Sequence, residues 1–447
     1  MSQNNALDKG QQMKQTPESP NPYHFDTRAI HNGMAADGTT AESWEGATLP
    51  PIYQTAAHIH DTADSLSRTF AGQTQDHIYM RLSNPTNRHL EKKLADLESG
   101  KTAVVTSSGM AAINNACLTL LRAGDEFVAS SALFMSTFGL FTNIFKKYGI
   151  TVRFAHPLKP EEVAAAITEK TRFVYMETIT NPGMEVPDIR RIADIAHENG
   201  IPLLMDNTLA SPWLCRPLEL GADIVMHSTT KYFSGHGAAL GGVVVDGGRF
   251  NWETEKFSDF SPFYGEDPFQ AFITRMWKEY QVNFGTTPAP FHSFLTAIGL
   301  STLGVRMEKH MANAMAVAKF LRNHPKVNWV NYPGFEDHPS HDIAKAQFGE
   351  KGFGTMLTFG LRDQEACFTL IDNLKMILNL ANLGDCKTLI IHPYSSQYVN
   401  FPQEQKDRLA DPCLIRFSVG IEHANDICRD LDQALTNINV NKADGTT

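Results

Sequence analysis

Two stretches decide the fold: Pro202-Leu203-Leu204-Met205-Asp206-Asn207-Thr208 and, further on, Ile224-Val225-Met226-His227-Ser228-Thr229-Thr230-Lys231-Tyr232. Each opens on an apolar run with no polar alternation and then turns abruptly polar. A continuous apolar run of this length reads as a strand buried on both faces, and both faces are covered when a parallel sheet lies between helices. The polar residues then sit just beyond the strand's carboxyl end, where doubly wound sheets bind their ligands.

Outward from these two runs the pattern repeats. Strands are expected at Ala103–Thr106, Glu126–Ala129, Thr151–Phe154, Phe173–Met176, Pro202–Met205, Ile224–Met226 and Gly242–Val245. Helical periodicity falls between them near Met110–Leu121, Ser136–Tyr148, Pro160–Ile167 and Asp188–Glu198. Such alternation predicts an α/β fold with a mostly parallel sheet covered by helices. Gly247 and Gly248 end it, and an aromatic insert follows, from Phe250 and Trp252 through Phe257, Phe260 and Phe272 to Trp277. A long helical pattern then runs from Pro290 towards Asn323, followed by short strands at Gly352–Phe359 and Leu414–Ser418 and helices at Gln364–Leu374 and Asn425–Leu435. The expected organisation is an N-terminal tail and adjoining segment (1–78), a large α/β domain (79–289) and a smaller C-terminal α+β domain (290–447), closely packed because no Gly/Ser or Pro-rich linker divides them.

Composition removes several classes of function. Of 447 residues, 39 are Lys or Arg and 49 are Asp or Glu, so the net charge is −10, which disfavours nucleic acid and anionic membrane as partners. No apolar run approaches the roughly 18 residues that a membrane span requires. The 6 cysteines are scattered without a Cys-x-x-Cys pair, which argues against a disulfide framework or a zinc ribbon and fits a reducing, cytoplasmic setting. The first 22 residues carry Gln, Asn, Ser and Pro without an apolar signal segment and read as a floppy tail. His58 with His60, and His338 with His341, lack the companions of a metal site, so no metal is expected.

Three strand ends carry candidate chemistry. Ser107-Ser108-Gly109-Met110 opens a helix whose free N–H groups and dipole favour an anion. By itself it is an ordinary helix cap. Asp206 could pair with a cationic ring nitrogen, or serve as a simple turn aspartate. Lys231, flanked by Ser228, Thr229 and Thr230, could bind phosphate or form a Schiff base, or stand as a surface lysine. Taken together the three match the needs of pyridoxal phosphate: an anion seat, a carboxylate for the pyridine nitrogen and a lysine for the aldehyde. A nicotinamide-binding alternative fails, because Gly235-His236-Gly237-Ala238-Ala239-Leu240 has leucine in place of the third glycine and precedes a strand.

At this point a resemblance is plain. Tyr79-Met80-Arg81-Leu82-Ser83-Asn84-Pro85-Thr86, Ser108-Gly109-Met110-Ala111-Ala112, Asp206-Asn207-Thr208, His227-Ser228-Thr229-Thr230-Lys231-Tyr232, Asn382-Leu383-Gly384-Asp385 and Arg416-Phe417-Ser418-Val419-Gly420 resemble the Cys/Met-metabolism (trans-sulfuration) family of pyridoxal-phosphate enzymes, in order, from about Phe70 to Leu435. The resemblance implies fold type I. It implies that Lys231 links covalently to the cofactor, that Asp206 faces the ring nitrogen and that Ser108, Gly109, Met110, Ser228 and Thr230 hold the phosphate. It also implies that Tyr79 and Arg81 reach the phosphate from a neighbouring subunit, that Asn181 binds the ring hydroxyl oxygen, and that Arg416, assisted by Asn382, takes the substrate carboxylate. A tetramer of site-sharing dimers follows from the same likeness.

Within the family, Gly241–Gly248 and the insert look most like the O-acetylhomoserine sulfhydrylase branch. The expected reaction is γ-replacement by sulfide or a small thiol; the alternatives are an O-succinylhomoserine donor, or a methionine or cystathionine γ-lyase. Two departures stand out. Phe134 in Leu133-Phe134-Met135 occupies the place of the family's ring-stacking tyrosine, leaving Tyr79 or Lys231 as the expected leaving-group acid. His392-Pro393-Tyr394-Ser395-Ser396-Gln397-Tyr398 replaces H-P-A-S-T-T-H and is expected near the distal end of the substrate. The insert and Phe134 are expected to exclude water from the site.

Overall fold

A computed structural model of the chain describes residues 23–31, 47–401, 403–404, 406 and 411–438. The tail expected over the first 22 residues lies outside them. All seven expected strands form: β1 Thr102–Thr106, β2 Glu126–Ser130, β3 Thr151–Ala155, β4 Thr171–Glu177, β5 Leu203–Asp206, β6 Ile224–His227 and β7 Gly242–Asp246. They make one sheet in the order β1-β7-β6-β5-β4-β2-β3. Pairing from β3 through β6 is parallel, and β7 runs antiparallel between β6 and β1.

Successive residues of each strand enter opposite cores, as the two-residue period of a strand demands. Val105, Val174, Met176, Leu203, Met205, Val225 and Val243 pack one face against Leu90, Leu94 and Leu97 of the Pro85–Leu97 helix and Ile189, Ile192 and Ile195 of the Ile189–Glu198 helix. Val104, Phe127, Phe173, Tyr175, Leu204, Met226 and Val244 pack the other against the Gly109–Leu120 helix. Each fully buried Val, Leu or Phe contributes about 1.5–3 kcal/mol of hydrophobic transfer, so the central strands are fixed by burial on both sides.

A second sheet follows in the C-terminal part, ordered β10-β11-β12-β9-β8, from β8 Trp329–Asn331, β9 Met356–Gly360, β10 Leu378–Asn379, β11 Leu389–Ile391 and β12 Leu414–Ser418. Ala314, Val317 and Leu321 of the Leu303–Arg322 helix, with Leu431 and Leu435 of the Ala424–Thr436 helix, cover it. The architecture is therefore a mostly parallel α/β body with a smaller α+β part.

Three expectations need correction. The single helix from Pro290 towards Asn323 is two, Pro290–Leu300 and Leu303–Arg322, because the Thr302 hydroxyl bonds the Gly299 carbonyl and Ser301 and Thr302 make short i−3 backbone bonds that end the first helix. The helix expected at Ser136–Tyr148 is a short Met135–Gly139 turn continued by a π-helix, Leu140–Phe145. The third concerns the insert. Trp252 stacks on Phe260 and Phe272, and Phe257 lies under Arg172 at the start of β4. The cluster thus fills the sheet face near the amino ends of the parallel strands, away from the edge that carries Asp206 and Lys231. Apolar rings had a large uncovered strand face to fill, so the water-excluding role does not follow for Trp252, Phe257, Phe260 and Phe272, whereas Trp277 at the end of the insert donates to the Leu82 carbonyl beside Arg81.

Candidate active site

Strand register lines up the polar ends. Glu177 pairs with Asp206, Asp206 with Met226, His227 with Val243 and Gly242 with Thr106. One edge of the sheet therefore presents Ser107–Met110, Glu177–Asn181, Asp206–Thr208 and Ser228–Lys231 side by side.

The anion seat forms where β1 meets the Gly109–Leu120 helix. Ser108 is its N-cap and accepts from the Ala111 N–H at 3.1 Å, leaving the N–H groups of Gly109 and Met110, in the first helical turn, without an intrahelical acceptor. A Cβ on Gly109 would stand 2.7 Å from Ser228 Cβ and 3.0 Å from its Cα, so only glycine lets the helix start touch the Ser228 segment. Ser228 N–H in turn donates to Thr208 Oγ1 at 2.9 Å, tying this loop to the one after β5. The Thr230 hydroxyl is engaged with the Gly241 backbone, donating to its carbonyl at 3.2 Å and accepting from its N–H at 3.1 Å.

Beside the seat stand two acids. Thr208 N–H donates to Asp206 Oδ1 at 2.9 Å, and removal from water holds the Asp206 carboxyl above its ordinary range. No lysine or arginine is ion-paired with Asp206 among the described residues. Glu177, buried at the end of the adjoining strand, is likewise held above its ordinary range, by burial and by the charge of Asp206. Its two oxygens accept from the Phe134 N–H at 2.7 Å and the Asn181 N–H at 3.2 Å. One carboxyl thus fixes the backbone under both Phe134, which is half-buried, and Asn181, which is buried.

The reactive centre joins the two parts of the molecule. Lys231 Nζ donates to Asn382 Oδ1 at 2.5 Å, and Arg416 Nη2 donates to the Asn382 carbonyl at 3.0 Å. Burial, with the nearby Arg416 charge, pulls the Lys231 amine down to about 8. Arg416, on β12 and 3% exposed, has no carboxylate partner among the described residues, its Nε is buried without an acceptor, and burial pulls it down to about 10. A guanidinium held this way is a prepared seat for an incoming carboxylate. Gly384, at φ +70°, lies so near the Tyr232 N–H that a Cβ would stand 2.9 Å from it, and this brings the Asn382 loop onto the lysine.

Tyr79 and Arg81 lie elsewhere. Tyr79 is 44% exposed and bridges to Ala57, while Arg81 donates to the Val282 carbonyl at 2.6 Å. Among the described residues neither bonds to the Lys231 group of its own chain. Other residues support the site without having drawn notice in the sequence. Glu98 Oε1 bonds His227 Nε2 at 2.5 Å and accepts from Asn207 Nδ2 at 2.9 Å, so one buried carboxylate clamps the neighbours of Ser228 and Asp206 together. Arg306 donates to the Tyr232 and Gly299 carbonyls, each at 2.7 Å. A Glu at a helix end and an Arg inside a long helix carry no local signal, since their partners are distant in sequence.

The residues present fit pyridoxal phosphate. Two first-turn amides with a glycine at contact suit its phosphate, an acid without a cationic partner suits its ring nitrogen, and a buried amine of lowered basicity suits its aldehyde. Fold and site together define a pyridoxal-phosphate-dependent enzyme of fold type I. The profile of the Cys/Met metabolism PLP-dependent enzymes matches residues 26–436, and the chain belongs to that family. It is 41% identical to a homocysteine synthase of Schizosaccharomyces pombe, across 92% of this chain and 98% of that protein. It is 39% identical to an O-acetyl-L-homoserine sulfhydrylase of Leptospira meyeri, across 94% and 98%. The crystal structure of a putative O-acetylhomoserine (thiol)-lyase from Campylobacter jejuni, solved with N′-pyridoxyl-lysine-5′-monophosphate, matches at TM-score 0.87 and 31% identity over 93% of this chain and 100% of that one.

Proposed function

We propose that this chain catalyses γ-replacement on O-acetyl-L-homoserine, in which sulfide or a small thiol displaces acetate to give homocysteine or methionine. The observation that carries the reading is the Lys231–Asn382–Arg416 chain of contacts, which sets an amine of lowered basicity beside a buried carboxylate seat. The names and coverage of the relatives support the donor.

Pyridoxal phosphate, when bound, supplies a ring that withdraws electrons from the substrate's nitrogen and so acidifies Cα and Cβ. The Gly109 and Met110 amides with Ser228 would hold its phosphate, Asp206 would serve its ring nitrogen and Asn181 its ring oxygen, and Phe134 would supply an apolar contact. Arg416 grips the substrate carboxylate bidentately and Asn382 orients the guanidinium. The Lys231 amine, of lowered basicity in its buried setting, would accept the Cα proton and then move a proton from Cβ. Acetate would leave Cγ with the C–O electron pair as the Cβ proton is taken, the thiol sulfur would bond to Cγ as its proton is given up and a proton returns to Cβ, and Lys231 would return the proton to Cα. Loss of acetate as a stable carboxylate needs no strong acid, so Phe134 in place of a tyrosine is compatible with an ester donor.

Tyr79 and Arg81, exposed and not bonded to their own Lys231 among the described residues, serve the phosphate of a neighbouring subunit in this reading. The assembly is then a dimer of shared sites, doubled to a tetramer, acting in the cytoplasm. No helix of the described residues is long and apolar enough to cross a membrane.

The test is purified holoenzyme given O-acetyl- or O-succinyl-L-homoserine, with and without sulfide. Homocysteine formed only with sulfide, and faster from the acetyl ester, is the expected result. 2-Oxobutyrate released from both esters regardless of sulfide would instead make the chain a lyase.

A further inference from the structure

The segment after β11 crosses from the second sheet to the first. Tyr398 N–H donates to the Pro393 carbonyl at 3.1 Å, Phe401 N–H donates to the Tyr398 carbonyl at 3.1 Å, and the Tyr398 and Phe401 rings meet edge to face at 5.5 Å. Phe401 lies 6.4 Å from Phe138, one turn beyond Phe134 in the short helix at the cofactor face. This chain of rings seats Tyr398 inside the active-site wall. The side chain is buried, with the residue 3% exposed, yet its hydroxyl has no hydrogen-bond partner among the described residues.

The two charged groups that act on that hydroxyl are the Glu177 carboxyl and the Arg416 guanidinium. Burial, with the Glu177 charge, pushes the phenol up to about 12, so at working pH it is a donor and not a base. Arg416 pairs with Ile391 across β11 and β12, two residues before the Pro393 whose carbonyl takes the Tyr398 N–H, and it keeps a buried Nε without an acceptor among the described residues. A phenolic hydroxyl on a buried residue and a buried guanidinium nitrogen therefore stand at the same end of the second sheet, and neither has a hydrogen-bond acceptor among the described residues. Proteins leave such groups unpaired where a ligand completes them.

We propose that Tyr398 is a substrate-binding residue whose hydroxyl donates to the α-carboxylate seated on Arg416, so that two donors from separate segments of the C-terminal part read one carboxylate. The inference rests on the reading of Arg416 as the carboxylate arginine. It places Tyr398 at the carboxylate end of the substrate, whereas the sequence pattern around His392–Tyr398 led to an expectation of the distal end. Because the hydroxyl makes no hydrogen bond among the described residues, Tyr398→Phe keeps the ring packing on Phe401 and leaves the fold intact.

The experiment titrates holoenzyme and the Tyr398→Phe holoenzyme, following the cofactor absorption, with two non-reacting amines: L-2-aminobutyrate, which has the carboxylate, and propylamine, which lacks it. Tyr398→Phe is expected to weaken aminobutyrate binding about 10-fold, the loss of one charge-assisted hydrogen bond, while propylamine changes less than about 2-fold. With the ester substrate KM rises by a similar factor and kcat stays within about 3-fold. Equal affinity of wild type and variant for aminobutyrate overturns the proposal, and so does equal weakening for both amines, which marks a role in cofactor seating or packing. Failure of the wild type itself to favour aminobutyrate over propylamine removes the Arg416 reading, and the proposal with it.

Discussion

At the scale of single residues the account turns on Lys231. An amine lowered to about 8 from an ordinary 10.5 is a lysine whose charged form the fold disfavours, chiefly because burial strips its water. Between those values the unfolded chain binds the proton and the folded chain does not, so this group makes apoprotein stability rise as pH rises from about 8 to 10.5. Below about 8 the folded chain carries the full cost of a buried ammonium. Lys231→Met removes this contribution. Melting curves of the two apoproteins should show the variant more stable at pH 7, with the gap closing by pH 10.5; an unchanged gap across that range would contradict the lowered amine. The same scale shows what the sequence could and could not display. Asp206, Lys231 and Arg416 each follow or lie in an apolar strand, where a charged residue is conspicuous. Glu98 and Arg306 sit in helices of mixed composition, and only the fold brings them to His227 and Tyr232.

At the scale of elements, the anion seat depends on contact between two loops. The Gly109–Leu120 helix starts against Ser228, with no room for a Cβ at Gly109. Gly109→Ala forces the helix start and the Ser228 loop apart, so the cofactor's dissociation constant should rise about 10-fold or more, measured by fluorescence titration of apoprotein with pyridoxal phosphate. Affinity within 2-fold of wild type would show that the phosphate does not bind between these two elements. Strands were legible because β-branched and apolar runs such as Val243–Val245 and Leu203–Met205 are too short for helices and are punctuated by polar turns. The break at Ser301–Thr302 was not, since two hydroxyl residues do not by themselves stop a helix. β8, β10 and β11 were missed too, being two or three residues long and fixed by pairing with neighbours rather than by their own pattern.

At the scale of the whole molecule the site spans both parts of the chain, since Lys231 comes from the first sheet's domain and Asn382 and Arg416 from the second. The Lys231–Asn382 bond therefore joins the two parts at the site. The aromatic rings Trp252, Phe260 and Phe272 take no part in that junction, because they are spent on the sheet face. Tyr79 and Arg81 point to a further level, as do Ile59, 97% exposed, and Phe70, 65% exposed, in the same N-terminal region. If sites are shared, an inactive Lys231→Ala protein and an inactive Arg81→Ala protein, mixed and reassembled, should regain about a quarter of wild-type activity through hybrid dimers with one intact site. No recovery, with hybrids shown by native mass spectrometry, would place Arg81 in service of its own chain.

The most direct measurement is reduction of the holoenzyme with borohydride followed by peptide mapping of the pyridoxyl group. Burial lowers Lys93 to about 8 as well, so reactivity of the amine alone does not single out Lys231; its place at the edge shared by Asp206, Gly109 and Arg416 does. The pyridoxyl mass is predicted on Lys231. Finding it on Lys93, or on any other lysine, would contradict the assignment of this sheet edge as the reaction centre.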